Sequence, residues 1–140
     1  MKKILSLLIA MVMLVSCLGV ASFAALPDAG AVEPMWSNTG TFSYGLTFDD
    51  ATIGYAELSV GGKFGATRVT GTIEVYRQSG SDWIYVTGNC ISVLDRTLTM
   101  SVPVTGVSGC YCKAVFTATV YKDGTSETIT FTDYDTCPSN

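Results

Sequence analysis

The chain has 140 residues, a formal net charge of −4 and no histidine. This length suits one small domain built around a single hydrophobic core. The absence of histidine removes the commonest general base and metal ligand, so Ser-His-Asp triads, Cys-His dyads and histidine metal sites are excluded. No motif with a recognisable catalytic chemistry remains, and we therefore expect no enzyme activity and no cofactor.

The first 24 residues have the pattern of an export signal. Met1-Lys2-Lys3 supplies positive charge, an apolar run extends from Ile4 to Val15, and Ser22-Phe23-Ala24 offers the small residues that signal peptidase requires. We predict a signal peptide over residues 1–24 with cleavage before Ala25, and hence a secreted, extracellular protein.

Two alternatives to cleavage before Ala25 remain open. Leu14-Val15-Ser16-Cys17 fits a permissive lipobox, in which Cys17 would be acylated and would anchor a lipoprotein to the membrane. The apolar continuation Leu18-Gly19-Val20 argues against it, since the segment after a lipobox is usually polar. An uncleaved anchor is the second alternative, because the uncharged stretch from Ile4 to Pro27 is long enough to cross a bilayer of about 30 Å.

Removal of the signal leaves 116 residues (140 minus 24) with 6 basic and 12 acidic side chains, a charge of −6. This balance argues against nucleic acid and anionic membrane surfaces as partners, and leaves the export signal as the membrane-contacting segment. Residues 25–35 contain Ala, Gly and Pro without periodic patterning, which predicts a flexible tether. The domain is therefore expected to span residues 36–140.

Seven short strands are predicted in this domain. Apolar and polar residues alternate from Thr41 onward, as expected for half-buried strands, and turn residues recur about every ten positions. The strands are expected near residues 41–48, 53–60, 69–76, 83–93, 98–104, 110–121 and 127–134. No helical period occurs among them. The pattern predicts an all-β, Ig-like antiparallel β-sandwich, with a small closed β-barrel as the alternative.

Two of these strands contain irregularities. Ile53 and Tyr55 lie out of phase with the rest of the second strand, which predicts a bulge near Gly54 or a strand buried on both faces. Pro103 in the fifth strand predicts an edge position or a bulge, because proline cannot donate a ladder hydrogen bond.

Three segments resemble a group of small exported proteins of Gram-positive bacteria, classed together as a domain of unknown function. The segments are Trp36-Ser37-Asn38, the stretch from Arg77 to Trp83, and the stretch from Val120 to Thr128. The resemblance implies a secreted β-sandwich and transfers no catalytic residue. Cys112 stands where the family pattern has an aromatic at the opening of the sixth strand, so the cysteines lie outside that pattern.

Four cysteines belong to the mature chain: Cys90, Cys110, Cys112 and Cys137. The closely spaced pair Cys110-Tyr111-Cys112 could in principle bind a soft metal or exchange disulfides. Its spacing does not fit a zinc knuckle. In a small exported domain, four cysteines indicate two structural disulfides instead.

The pairing of these cysteines can be predicted from one hairpin. Asp123-Gly124 is the strongest turn signal in the chain, and a two-residue turn there pairs Lys122 with Thr125. On this register Phe116 lies opposite Phe131, so apolar residues face each other across the last two strands.

Continued outward, the same register places Cys110 opposite Cys137 and predicts a disulfide between them. Cys112 is then left to pair with Cys90. The swapped pairing, Cys90 with Cys110 and Cys112 with Cys137, remains the alternative and requires a longer turn.

Carboxylates are the remaining source of acid and base chemistry. Those considered are Asp49, Asp50, Glu57, Glu74, Asp133 and Asp135. A facing pair would make the protein a carboxylate-dependent secreted hydrolase, which is the alternative function. Asp133-Tyr134-Asp135 could also offer oxygen ligands to calcium, although a solvated strand end has the same pattern. We assign no catalytic or metal-binding residue.

Aromatic residues are more numerous than one small core can hide. Tyr76, Trp83 and Tyr85 flank one predicted hairpin, where exposed rings could stack on sugars or anchor a protein partner. Cross-strand packing that stabilises the sheet is the alternative role for these rings. The sequence thus suggests a secreted or cell-surface-associated, non-enzymatic β-sandwich, with binding to a polysaccharide or a surface protein as the functional hypothesis.

Overall fold

The computed structural model describes residues 35–140, which contain seven β-strands and no helix. The strands are β1 (Thr39–Phe48), β2 (Ile53–Gly62), β3 (Ala66–Ser79), β4 (Asp82–Val93), β5 (Thr97–Thr105), β6 (Tyr111–Lys122) and β7 (Thr125–Thr136). The signal peptide, the lipobox cysteine and residues 25–34 of the predicted tether lie outside the described residues. Within residues 35–140, no helix is long and apolar enough to cross a membrane.

The strands form two antiparallel sheets, one with the order β1-β2-β5 and one with the order β4-β3-β6-β7. Three hairpins stay within a sheet, and the other three connections cross from one sheet to the other. This is the strand order of Ig-like sandwiches in which the fourth strand lies beside the third. The predicted β-sandwich is confirmed, and the closed-barrel alternative is wrong because the described strands form two separate sheets.

The core lies between the two sheets and follows from the alternation of side chains along each strand. Phe116 of β6 is fully buried, and Leu58 of β2, from the smaller sheet, belongs to the same core cluster. Gly71 of β3 lets the sheets approach closely, since a Cβ atom there would lie 2.8 Å from a methyl carbon of Leu98. The core is therefore a single layer of alternate residues from both sheets.

The β6–β7 hairpin has the predicted geometry. Lys122 pairs with Thr125, and Phe116 pairs with Phe131. Asp123 and Gly124 both have positive φ, 50° and 73°, which is the requirement of a type I′ turn. The register deduced from the Asp123-Gly124 turn is therefore confirmed along the whole hairpin.

The two predicted strand irregularities have different outcomes. Gly54 pairs regularly with Phe48 on one side and Val104 on the other, so the predicted bulge near it is wrong. Nor is the strand buried on both faces there, because Tyr55 is exposed. Pro103 does lie on an edge strand, as predicted, since β5 pairs with β2 alone.

A bulge occurs instead in β4, at Val86. Val75 of β3 pairs with Thr87, while the next β3 residue, Tyr76, pairs with Tyr85. Val86 is thus the extra residue of β4. Because of it, odd-numbered residues point to the outer face before the bulge and even-numbered residues do so after it.

Candidate ligand-binding face

Five aromatic side chains gather on the outer face of the four-stranded sheet, and we call them the aromatic patch. They are Tyr76 of β3, Trp83 and Tyr85 of β4, Tyr111 of β6 and Tyr134 of β7. Strand register places them together, because Tyr76 pairs with Tyr85 on one side and with Lys113 on the other, and Lys113 pairs with Tyr134. One row of side chains thus crosses all four strands.

The rings of the aromatic patch contact one another. Tyr111 and Tyr134 are nearly parallel, with planes at 14° and centroids 5.8 Å apart. The Trp83 ring lies 6.0 Å from Tyr111 and 6.1 Å from Tyr134, and Tyr76 meets Tyr85 edge-on at 5.7 Å. These separations are typical of favourable aromatic pairs, which hold the rings in fixed positions.

Lys113 stands in the middle of the aromatic patch. Its ammonium nitrogen lies 4.5 Å from the centre of the Trp83 ring and 5.1 Å from that of Tyr76. Both distances suit cation–π attraction, which positions Lys113 and links the two halves of the patch.

The aromatic patch remains open to solvent. Tyr85 is 56% exposed, Tyr134 50% and Tyr111 42%, while Tyr76 and Trp83 are half-buried. Burying this much apolar surface against a ligand would be favourable, because ordered rings lose little conformational entropy on binding. The structure thus brings together the three residues named from the sequence, Tyr76, Trp83 and Tyr85, and adds two tyrosines that this prediction missed.

Polar groups border the aromatic patch on one side. A shallow notch of about 240 Å³ lies where Gly88 has no side chain, and its walls include Glu74, Asn89 and Tyr85. Partial burial and the neighbouring Glu74 carboxylate raise the pKa of Tyr76 above its ordinary value, so this phenol stays protonated and able to donate a hydrogen bond.

Beyond the notch the same face is covered by hydroxyl side chains. Thr117 bonds to Thr130 at 3.2 Å, Thr119 bonds to Thr128 at 2.8 Å, and similar rows continue onto β3 and β4. The outer face of this sheet is therefore aromatic near the β3–β4 turn and rich in hydroxyl groups elsewhere.

A second aromatic group has a structural role. Trp36, Phe42, Tyr44 and Phe131 pack between β1 and β7, where Tyr44 and Phe131 are stacked with centroids 5.0 Å apart. This group closes one side of the sandwich, so cross-strand stabilisation explains these rings.

The carboxylates considered for catalysis are dispersed. Glu57 lies on the outer face of the three-stranded sheet and Glu74 on that of the four-stranded sheet, because their neighbours in sequence point into the core. Asp50 accepts backbone hydrogen bonds from Thr52 and Ile53 within its own turn. Asp133 accepts one from Leu46 of β1.

On their own strand, the Oδ1 atom of Asp133 accepts the N–H of Tyr134 and the Oδ1 atom of Asp135 accepts that of Thr136. Among residues 35–140, no group of three or more histidine, cysteine, aspartate or glutamate side chains could hold a metal ion.

The four cysteines of the described residues are free thiols, and three of them cluster at the end of the β6–β7 hairpin. Cys137 donates its N–H to the carbonyl of Cys110 at 3.0 Å, so these two residues are cross-strand neighbours as the register predicted. Burial, together with neighbouring Cys110 and Cys137, raises the pKa of Cys112 to about 11.

The predicted bridge between Cys90 and Cys112 is wrong. Cys90 pairs with Thr72 of β3 and is exposed, whereas Cys112 pairs with Arg77 of β3 and is buried. Five residues of an extended strand span about 16 Å, far beyond the 7 Å that a disulfide allows between Cα atoms. The same separation excludes the alternative bridge from Cys90 to Cys110.

The outer face of the three-stranded sheet carries a different kind of surface. A shallow groove of about 480 Å³ crosses it above Gly45, lined mainly by Ser43, Ser59, Thr99 and Glu57. No cluster of exposed rings lines this groove, so the aromatic patch is the more distinctive candidate site. Comparisons with protein-family models, curated proteins and solved structures gave no match.

Proposed function

We propose that this protein is a secreted or cell-surface-associated, non-enzymatic β-sandwich that binds polysaccharide on the aromatic patch. The observation that carries the proposal is the set of five rings on an open sheet face, in two contacting groups joined by Lys113, with three of the rings at least 42% exposed. Aromatic rings of this kind present flat apolar surfaces, which match the C–H faces of sugar rings.

Three further features bear on the kind of ligand and favour an uncharged polysaccharide. The aromatic patch lies on an open face with a shallow notch beside it, which suits an extended ligand better than an enclosed one. The Thr72 hydroxyl, the Asn89 amide and the Glu74 carboxylate line this notch beside Tyr85 and could hydrogen-bond to sugar hydroxyls. The excess of acidic residues in the chain disfavours polyanions as ligands.

The experiment compares retention of matched variants on insoluble polysaccharides: cellulose, chitin and purified peptidoglycan. Trp83→Ala and Tyr134→Ala remove rings of the aromatic patch, while Tyr55→Ala removes an exposed ring from the other sheet and serves as the control. We expect the two patch variants to bind roughly fivefold or more weakly to the polysaccharide that retains the parent, since one aromatic contact contributes up to about 1.5 kcal/mol.

Circular dichroism must show that all three variants remain folded. Retention of Trp83→Ala equal to that of the parent, or an equal loss in Tyr55→Ala, would contradict the proposal, as would a parent retained by none of the three polysaccharides.

Export is tested separately, by mass spectrometry of the protein made from the full-length chain. A first residue of Ala25 supports signal-peptide cleavage and secretion. A diacylated Cys17 would instead show attachment to the membrane as a lipoprotein.

A further inference from the structure

Strand β4 has an open edge. It pairs with β3 on one side and with no described strand on the other. Between Trp83 and Val93 it contains no charged residue and no proline. An edge strand with these properties offers unpaired N–H and C=O groups to another strand, which proteins usually prevent.

The other three sheet edges are protected. On β1, the carboxylates of Glu127 and Asp133 accept the backbone N–H groups of the edge. On β7, the charged side chains of Asp133 and Asp135 lie along the edge strand and oppose pairing, and on β5 Pro103 has no N–H to donate. The contrast singles out β4 as the edge that is free to pair.

The bulge at Val86 defines the usable length of this edge. The ladder between β3 and β4 is uninterrupted from Thr87 to Val93, and its midpoint is Cys90. The N–H of Cys90 is bonded to the side chain of Asn89 at 2.9 Å, so it points away from β3. Alternation along a strand places the N–H of Ser92 on the same open side.

We propose that two copies of this chain pair through residues 87–93 of β4, antiparallel about a twofold axis at Cys90. The two four-stranded sheets then form one continuous sheet of eight strands. The side-chain amide of Asn89 releases the N–H of Cys90, which bonds to the carbonyl of the second copy.

A second copy is the occupant because the segment is complementary to itself. A twofold axis makes the same seven residues face each other, and none of them is charged, so no like charges oppose one another. The acidic side chains of the domain lie outside this segment, which limits the repulsion between two negatively charged copies.

The test measures molecular mass by light scattering during size-exclusion chromatography. Ser92→Pro removes an outward N–H, and Ser92→Ala is its matched control, because both lose the hydroxyl bond to Thr70. We expect the parent and Ser92→Ala to be dimers and Ser92→Pro to be a monomer. A parent that is monomeric up to its solubility limit, or a dimeric Ser92→Pro, would overturn the proposal.

Hydrogen exchange of the parent gives a reading that needs no proline variant. The Ser92 amide should exchange more slowly as protein concentration rises, since pairing protects it. Exchange independent of concentration would also overturn the proposal.

The register is tested by cross-linking with glutathione disulfide as the oxidant. Two Cys90 thiols lose two protons and two electrons to form one disulfide, and glutathione disulfide is reduced to two molecules of glutathione. Residues directly opposite in a hydrogen-bonded antiparallel pair have Cα atoms about 5.5 Å apart, within disulfide range. We expect a covalent dimer in the parent and none in Cys90→Ser. No Cys90 cross-link in the parent would overturn this register.

Discussion

Glu127 on β7 holds Asn38 at the entrance to β1. Its Oε2 atom accepts the N–H of Asn38 at 3.0 Å and that of Thr39 at 2.9 Å, while Oε1 accepts the N–H of Ser37 at 2.6 Å. The Asn38 side chain in turn donates to the carbonyl of Val120 on β6. One carboxylate therefore joins the first strand to the opposite sheet.

We expect Glu127→Ala to destabilise the domain by about 2 kcal/mol or more, because several charge-assisted hydrogen bonds are lost at once. The midpoint of urea unfolding measures the loss. Glu57→Gln is the control, since this exposed carboxylate on the outer face should change stability by less than about 0.5 kcal/mol. Equal effects of the two substitutions would contradict this role of Glu127.

Stability should depend on pH through the same residue. Burial disfavours the charge of Glu127, but the N–H groups of Ser37, Thr39 and Asn38 outweigh it and hold its pKa below the ordinary 4.5. A carboxylate with a lowered pKa in the folded state stabilises above its unfolded pKa, and this contribution is lost as pH falls through the folded value.

Hydrogen bonds from Thr52 and Ile53 lower the pKa of Asp50 in the same direction. We expect the free energy of unfolding to fall with decreasing pH below about 4.5, less steeply in Glu127→Gln. Parallel pH profiles of the parent and this variant, measured by urea unfolding, would contradict the assignment.

The type I′ turn between β6 and β7 should tolerate a substitution at Asp123 but not one at Gly124. Gly124→Ala places a side chain on a residue with φ of 73° and should cost roughly 1 kcal/mol. Asp123→Asn should be nearly neutral, because asparagine also adopts positive φ readily. Thermal unfolding compares the two variants, and an equal loss in both would show that the turn conformation does not limit stability.

Reactivity should distinguish two cysteines of the reduced protein. With a pKa of about 11, the buried Cys112 thiol is about one part in a thousand ionised at pH 8, and iodoacetamide should leave it unmodified. The exposed Cys90 should be alkylated. Peptide mapping by mass spectrometry reads both sites, and the protein unfolded in guanidinium chloride, where both should react, is the control. Equal rates in the folded protein would contradict the burial of Cys112.

An oxidised form should contain a bridge between Cys110 and Cys137, which are cross-strand neighbours. We expect the bridge to raise the free energy of unfolding by about 3 kcal/mol on the chain-entropy scale. Peptide mapping after treatment with glutathione disulfide identifies the bond, and Cys112→Ala shows whether the third thiol competes. A bond between Cys112 and Cys137 would contradict the prediction.

The sequence was most informative where local rules determine the structure. Alternation of apolar residues predicted the strands, and the turn chemistry of Asp123-Gly124 determined which residues face each other in the last hairpin. Both depend on neighbours in the chain, so no knowledge of distant contacts was needed.

The aromatic patch and the position of Cys90 on the outer face could not be predicted in this way. Tyr111 and Tyr134 join Trp83 through the register of β3 with β6, which no turn links directly. The bulge at Val86 changes which residues of β4 point outward. Trp83 and Tyr85, with odd numbers, face solvent before the bulge, and Cys90, with an even number, faces solvent after it. No residue type in that segment marks the bulge.

The entry point of the chain sets the direction in which the aromatic patch is displayed. Asn38 contacts Val120 and Thr125 beside the β6–β7 turn, whereas Trp83, Tyr111 and Tyr134 lie at the far end of the same sheet. Strands of 12 residues separate the two ends by about 35 Å. The sandwich therefore displays the rings at the pole opposite to Asn38, about one strand length from the place where the described chain enters β1.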